Sequence, residues 1–253
     1  LGNTQIGGGS FHILCGPCAI ESEEQARESS EYVAAFGGHS FRGGIFKPRT
    51  SPYSFQGYGE DGLEILKTVK EKTNLPIVSE VINISDIDKM IQTVDALQIG
   101  ARNMQNYALL EAVGKSKHPV FLKRGMSATI EEFLLAAEYI YNQGNENIIL
   151  CERGIRTFER ATRNTLDLNA VAFIKQKSHL PVLVDPSHGT GVRELVAPLS
   201  KAAMAVGADG IMVEMHPNPS IALSDGAQSL TPELLDELIK DLTELAPHFG
   251  KTL

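Results

Sequence analysis

The sequence predicts a closed parallel barrel of eight β/α units, on three observations. Short apolar runs recur along the chain, each is followed by a helical pattern, and each ends in a glycine or a polar residue. Alternation of this kind specifies a parallel sheet with helical crossovers. Eight such units in 253 residues match the ~250 residues of a typical single barrel. An open doubly wound sheet is the competing arrangement, but no glycine fingerprint follows the first strand.

The elements follow in order. Residues 1–10, with Gly7-Gly8-Gly9, are too few for a domain and read as a lead-in turn or small hairpin, leaving 11–253 for the barrel. Phe11-His12-Ile13-Leu14 is the first strand, ending in Cys15-Gly16-Pro17-Cys18. Ser22 with Gln25 makes a capping box for a helix to Phe36, stopped by Gly37-Gly38. The second strand spans Ser40 to Phe46 and opens into Lys47-Pro48-Arg49-Thr50 and a turn-rich loop, before an amphipathic helix from Leu63 to Lys72. Pro76-Ile77-Val78-Ser79 ends in Glu80, and Ser85 caps a short helix. Ala96-Leu97-Gln98-Ile99 ends in Gly100-Ala101-Arg102; Val120-Phe121-Leu122 ends in Lys123-Arg124-Gly125, with a capping box at Thr129 and Glu132. Ile148-Ile149-Leu150-Cys151 ends in Glu152-Arg153-Gly154. Leu180 to Val184 enters Asp185-Pro186-Ser187-His188 and a glycine-rich bend, and Val192 to Val206 is helical. Gly210-Ile211-Met212-Val213 ends in Glu214, and Thr231-Pro232 starts a last helix with Leu234, Leu235, Leu238, Ile239 and Leu242 on one face. The fold class is therefore α/β, a (β/α)8 TIM barrel with a short N-terminal extension.

Composition narrows the function. The chain is 42% hydrophobic and 21% charged, with a net charge of -8, a poor surface for nucleic acid. No apolar run approaches the ~20 residues of a membrane helix. No secretory segment opens the sequence, although Leu1 in place of Met points to a start that has been cut. Three cysteines, Cys15, Cys18 and Cys151, are too few and too odd for a disulfide framework and fit a reducing cytoplasm.

A barrel gathers its strand ends on one face, and the polar residues there sort into two groups. Cys18, His188, Glu214 and Asp225 form a mixed sulfur, nitrogen and oxygen set, suited to a divalent Mn, Fe, Co or Zn ion rather than Mg or Ca. Each alone reads as a packed or turn residue; four at one barrel end read as a metal site. Arg42, Lys47, Arg49, Arg102, Lys123 and Arg153 form the second group. Six cations at the rim of an acidic chain make a focused anion site, and their number points to more than one phosphate. The Cys15-x-x-Cys18 spacing also matches thiol oxidoreductases, but the eight-fold alternation is the wrong setting for that fold. Ser187 beside His188 lacks the elbow of a nucleophilic serine.

Gly16-Pro17-Cys18, Lys47-Pro48-Arg49-Thr50, Gly100-Ala101-Arg102, Leu122-Lys123 and Asp185-Pro186-Ser187-His188 together resemble 3-deoxy-D-arabino-heptulosonate 7-phosphate (DAHP) synthases, in their short-core branch. The resemblance runs from Phe11 to about Thr243. It implies a cytoplasmic transferase that condenses phosphoenolpyruvate with erythrose 4-phosphate and opens the shikimate route to aromatic amino acids. It also implies one divalent ion, manganese first, on Cys18, His188, Glu214 and Asp225. Arg102, Lys123 and Arg153, with Arg42 beside them, would clamp phosphoenolpyruvate. Arg49 and Thr50 would hold the sugar phosphate, and Lys47, His188 and Cys18 would act at the reacting carbons. Members are homo-oligomers, a tetramer being the expected size, and often carry a chorismate-mutase-like or ferredoxin-like regulatory segment. None is read in this sequence, so the chain is expected to be either an unregulated enzyme or the catalytic part of a longer one whose regulatory domain is missing or separate. The nearest rival is 3-deoxy-octulosonate 8-phosphate synthase, which takes arabinose 5-phosphate and has Lys-Ala-Asn where this chain has Lys47-Pro48-Arg49. A thiol redox protein and a barrel kept only as a binding subunit are the readings from other classes.

Overall fold

The computed structural model describes residues 1–2, 4–48, 51 and 53–253. Its eight strands are β1 (His12–Gly16), β2 (Ser40–Arg42), β3 (Ile77–Glu80), β4 (Ala96–Ile99), β5 (Val120–Lys123), β6 (Ile148–Glu152), β7 (Val182–Val184) and β8 (Gly210–Glu214). They pair in sequence order and every pair is parallel. β8 returns to β1 in register from His12 against Gly210 to Gly16 against Glu214, which closes the ring. The predicted barrel is the observed one.

The period-two alternation of each strand explains the two cores. Leu14, Val78, Ala96, Phe121, Ile149, Cys151, Leu183 and Met212 point inward and fill the barrel. Their neighbours Ile13, Ile77, Leu97, Leu122, Leu150, Val182 and Ile211 point outward beneath the helices. Both faces are dry, so the strands read as continuous apolar runs. Full burial of each such side chain contributes roughly 2 kcal/mol. At the N-terminal end of the strands, Leu1 and Ile6 pack against the inner cluster. Phe11 N donates to Thr252 O at 2.7 Å and Thr252 N to Gly9 O at 3.0 Å, stitching the two ends of the barrel sequence together.

The helices are α1 (Glu23–Phe36), α2 (Asp61–Thr73), α3 (Ile87–Met90), α4 (Tyr107–Lys115), α5 (Ile130–Tyr141), α6 (Leu168–Lys177), α7 (Pro186–Thr190), α8 (Val196–Ala205) and α9 (Pro232–Leu245). The capping box at Thr129 and Glu132 is complete. At Ser22 it is half made: Ser22 accepts from Gln25 N, while the Gln25 side chain reaches Glu21 N instead.

Four local expectations need correction. β2 stops at Arg42 rather than Phe46, because the chain at Gly43 and Gly44 crosses onto Ile20 and the Cys18 carbonyl, leaving no room even for a Cβ. Ser85 is not a cap; it lies inside a 3₁₀ turn, Ile84–Asp86, and its hydroxyl donates to Asp86 at 3.2 Å. Leu234 lies off the buried stripe of α9 and is 37% exposed, since only Leu235, Leu238, Ile239 and Leu242 keep the i, i+3, i+4, i+7 spacing. The 192–206 segment begins as a 3₁₀ turn, Arg193–Leu195, before α8.

Candidate active site

Each polar residue at the carboxyl end of the barrel is placed by a local device. After β7, Asp185 caps α7 by accepting from His188 N at 2.9 Å, and Pro186 occupies the first helical position. His188 is thus carried on a helical turn, which Gly191 ends in the left-handed conformation at φ 69°. Ser187 Oγ accepts from Glu214 N at 2.9 Å and ties the ends of β7 and β8 together. Gly16 ends β1 at φ 147°, where a Cβ would stand 2.1 Å from the Arg42 carbonyl; only glycine lets the chain turn there to Cys18. Asp225 holds φ 53°, a left-handed conformation that aspartate tolerates better than most residues. Arg163 donates to its Oδ1 at 3.2 Å.

Cys18, His188, Glu214 and Asp225 converge, with one ligand atom from each lying within 4.8 Å of the others. His188 Nε2 is 3.4 Å from Glu214 Oε1 and 3.8 Å from Asp225 Oδ2. The Cys18 thiol donates to Asp225 Oδ2 at 3.1 Å and accepts from Lys47 Nζ at 3.0 Å and Ser224 Oγ at 3.2 Å. Arg42 and Gln228 hold the two Glu214 oxygens at 3.0 and 2.7 Å. Burial pushes the Cys18 thiol up to about 12, with Glu214 adding to the rise and Lys47 opposing it. Burial alone would raise Asp225, but His188 and Arg163 bring it down to about 2. His188 is lowered by burial against the pull of Asp185 and Glu214. Two carboxylates, a thiol and a neutral imidazole packed this closely fit a divalent cation, whose charge would offset the carboxylates and displace the thiol proton.

Burial pushes Cys15 up to about 12 and raises Cys151 as well. All three cysteines are free and buried. A redox pair needs the opposite, an exposed thiol of depressed pKa, so the Cys15-x-x-Cys18 spacing is not a thiol redox motif.

Beside the four donors opens a cavity of about 390 Å³, lined by the cations Arg42, Lys47, Arg102, Lys123, Arg153 and Arg163, with Glu80, Gln98, His188 and Asp225. Five of the six rim cations read from sequence therefore meet in one place; Arg49, like Thr50, lies outside the described residues. Arg153 is the most telling. It is 4% exposed, yet its Nε and Nη1 have no partner among the described residues, and burial lowers its pKa. A buried guanidinium with unmade hydrogen bonds is a site waiting for an anion. Burial also opposes the charge on Lys47, but Cys18 and Glu80 outweigh it and its pKa is raised. Arg102 stands exposed on the Ala101–Asn103 turn.

Sequence reasoning missed Arg163, Gln228 and the cluster of buried Arg124 and Glu152 with half-buried Asp167. Arg124 Nη1 donates to Glu152 Oε2 at 2.9 Å and Asp167 Oδ2 at 3.0 Å, and Glu152 Oε1 accepts from Gly154 N at 2.7 Å. This brace fixes the backbone on either side of Arg153. The signal was present in Glu152 and Arg124, charged residues at the ends of apolar strands; Arg163 sits in a loop without periodicity and gave none. Among the described residues no helix is long and apolar enough to cross a membrane.

Residues 2–249 match the family model described as the DAHP synthetase I family. The phospho-2-dehydro-3-deoxyheptonate aldolase of Thermotoga maritima is 55% identical over 250 residues, 99% of this chain and 74% of that protein. A crystal structure of the Thermotoga maritima enzyme, also titled DAHP synthase, superposes with a TM-score of 0.96 at 54% identity, covering 100% of this chain and 74% of that one. A truncated form of the same enzyme gives 0.93 at 51% identity, covering 92% of its chain. A 2-dehydro-3-deoxyphosphooctonate aldolase of Francisella tularensis is 34% identical, covering 100% of this chain and 98% of its own length. With its barrel, its convergent donors and its cationic mouth matched over nearly its whole length, the chain belongs to the DAHP synthetase I family.

Proposed function

We infer that this protein is a DAHP synthase, joining phosphoenolpyruvate to erythrose 4-phosphate with release of phosphate. The observation that carries the reading is the pairing of two features in one cavity: the partnerless buried guanidinium of Arg153 among other cations, and the four-donor set beside it. The much higher identity to the heptonate aldolase than to the octonate aldolase supports the four-carbon acceptor.

In the reaction, C3 of phosphoenolpyruvate attacks the aldehyde carbon and forms the new C–C bond, while the aldehyde oxygen takes a proton. Water adds at C2, and the tetrahedral centre collapses to a ketone as the C2–O bond to phosphate breaks. Arg153, Lys123 and Arg102, with Arg42, bind the carboxylate and phosphate of phosphoenolpyruvate, the forks in pairs of hydrogen bonds and the lysine as a compact charge. Lys47 reaches the rim of the donor set through Cys18, so its ammonium stands where negative charge develops on the aldehyde oxygen. Arg49 and Thr50 are assigned to the sugar phosphate. Cys18, His188, Glu214 and Asp225 would hold a divalent ion, Mn2+ by preference, which supplies Lewis-acid polarisation of the aldehyde. The assembly is proposed to be a homo-oligomer working in the cytoplasm.

The test is phosphate release from phosphoenolpyruvate with each sugar in turn, before and after chelation. Erythrose 4-phosphate should give the higher kcat/KM, arabinose 5-phosphate a lower but measurable one, since a wet site tolerates a modest misfit. Chelation should abolish turnover and Mn2+ restore it. Equal or better use of arabinose 5-phosphate, or full activity after chelation, would falsify the assignment.

A further inference from the structure

We propose that Asp185 is a positioning residue through which the four-donor set and the phosphoenolpyruvate cations are energetically linked. The proposal rests on the synthase reading above.

Asp185 is fully buried at the end of β7. Its Oδ1 is committed to the backbone, accepting from His188 N at 2.9 Å. Its Oδ2 accepts from Lys123 Nζ at 2.6 Å, and His188 Nδ1 stands 2.7 Å from the same oxygen, off the line of a well-formed hydrogen bond. An ionised carboxylate only accepts, so Nδ1 carries the ring proton and Nε2 presents its lone pair toward Glu214 and Asp225. Lys123, on β5, faces the cavity on its other side. One oxygen therefore serves a donor-set imidazole and a substrate-facing ammonium at once.

Sharing makes the two sites compete for Oδ2. A cation on Nε2 draws electron density from the ring, which makes Nδ1–H the stronger donor and takes a larger share of Oδ2. The hold on Lys123 slackens, and its ammonium is freer to meet an anion in the cavity. In reverse, an anion that draws Lys123 away leaves Oδ2 to His188 and raises the basicity of the ring. The coupling is positive and must be equal in both directions.

The test is calorimetric titration of Mn2+ and of phosphoenolpyruvate, each alone and each with the other present. In the wild type, mutual tightening of about fivefold or more is expected. Asp185→Asn keeps the shape but offers one acceptor oxygen and one amine, so it cannot accept from both partners. It should weaken Mn2+ binding by about 10- to 100-fold and bring the mutual factor below about twofold. Unchanged Mn2+ affinity, or weaker binding of both ligands with the mutual factor intact, would overturn the role, the second result marking a purely structural residue. Circular dichroism checks that the variant is folded. Independently of that variant, Lys123→Met removes the competitor for Oδ2 and should tighten Mn2+ binding measured alone. Arg153→Met removes a cavity cation that does not touch Asp185 and sets the general effect of lost positive charge. Tightening in Lys123→Met no greater than in Arg153→Met would also overturn the proposal. Phosphate release by the wild type is scored separately: its absence removes the synthase reading, while the Mn2+ titrations still decide the linkage.

Discussion

Single residues carry the site unequally, and the inequality has a physical source. His188, Glu214, Lys123 and Arg153 were legible because each follows an apolar strand, and a parallel barrel sends such positions to one mouth. Asp185 was legible as a strand-end residue but not as an oxygen approached at once by Lys123 and His188, which only distances reveal. Arg163 and Gln228 come from loops, where nothing in the spacing fixes direction. Arg153 and Lys47 should separate in kinetics. Arg153 has unmade hydrogen bonds in the free protein, so its loss falls on ground-state capture. Two charge-assisted bonds are worth ~3 kcal/mol, and Arg153→Ala should raise the KM for phosphoenolpyruvate about 100-fold. Lys47 already has partners in Cys18 Sγ and O and acts on charge that appears later. Lys47→Ala should chiefly lower kcat, by about 100-fold. Steady-state kinetics of both variants check the split, and an ordinary kcat in Lys47→Ala removes its assigned role.

At the level of elements, boundaries set by caps were read well and boundaries set by tertiary contact were not. The Thr129–Glu132 box is local chemistry and appears where the spacing placed it. The end of β2 depends on the close approach of Gly43 and Gly44 to Ile20 and the Cys18 carbonyl in the loop after β1, which local propensity cannot know. β1 itself carries a cost visible only in three dimensions. His12 is buried with its Nε2 2.7 Å from Ser40 Oγ and no partner for Nδ1 among the described residues. Burial, helped by the nearby His39, lowers its pKa to about 3 from an ordinary 6.5. Between those values the unfolded chain holds a proton that the folded one refuses, so stability falls as pH drops below 6.5. The slope is ~1.4 kcal/mol per pH unit for this group, about 2 kcal/mol by pH 5. Carboxylates with depressed pKa values, such as Asp185 and Asp225, lose their contribution only at lower pH. Urea unfolding between pH 7 and 5 should therefore show a shallower slope for His12→Gln than for the wild type. Identical slopes would mean that His12 is protonated in the folded protein.

For the whole molecule, the acidic total of -8 and the cationic cavity are one design: the negative balance keeps the outer surface from anions while the barrel mouth concentrates them. The closed ring was legible from alternation and length, together with the missing glycine fingerprint that an open doubly wound sheet would carry after its first strand. The stitching of residues 9–11 to Thr252 has a separate meaning. The hydrogen-bonded ring is closed, and Gly9 and Phe11 also bond to Thr252, so the start and the end of the barrel lie side by side. Where the chain is cut is then almost arbitrary to the folded shape. A circular permutant, with residue 253 joined to residue 1 by a flexible Gly/Ser linker and new ends opened at the turn before β5, should fold and release phosphate within about tenfold of the parent rate. Its unfolding midpoint in urea should drop, since the new ends fray two elements that were tethered. An insoluble or inactive permutant would show instead that the order in which the units leave the unfolded state, and not only their final arrangement, is written into this chain.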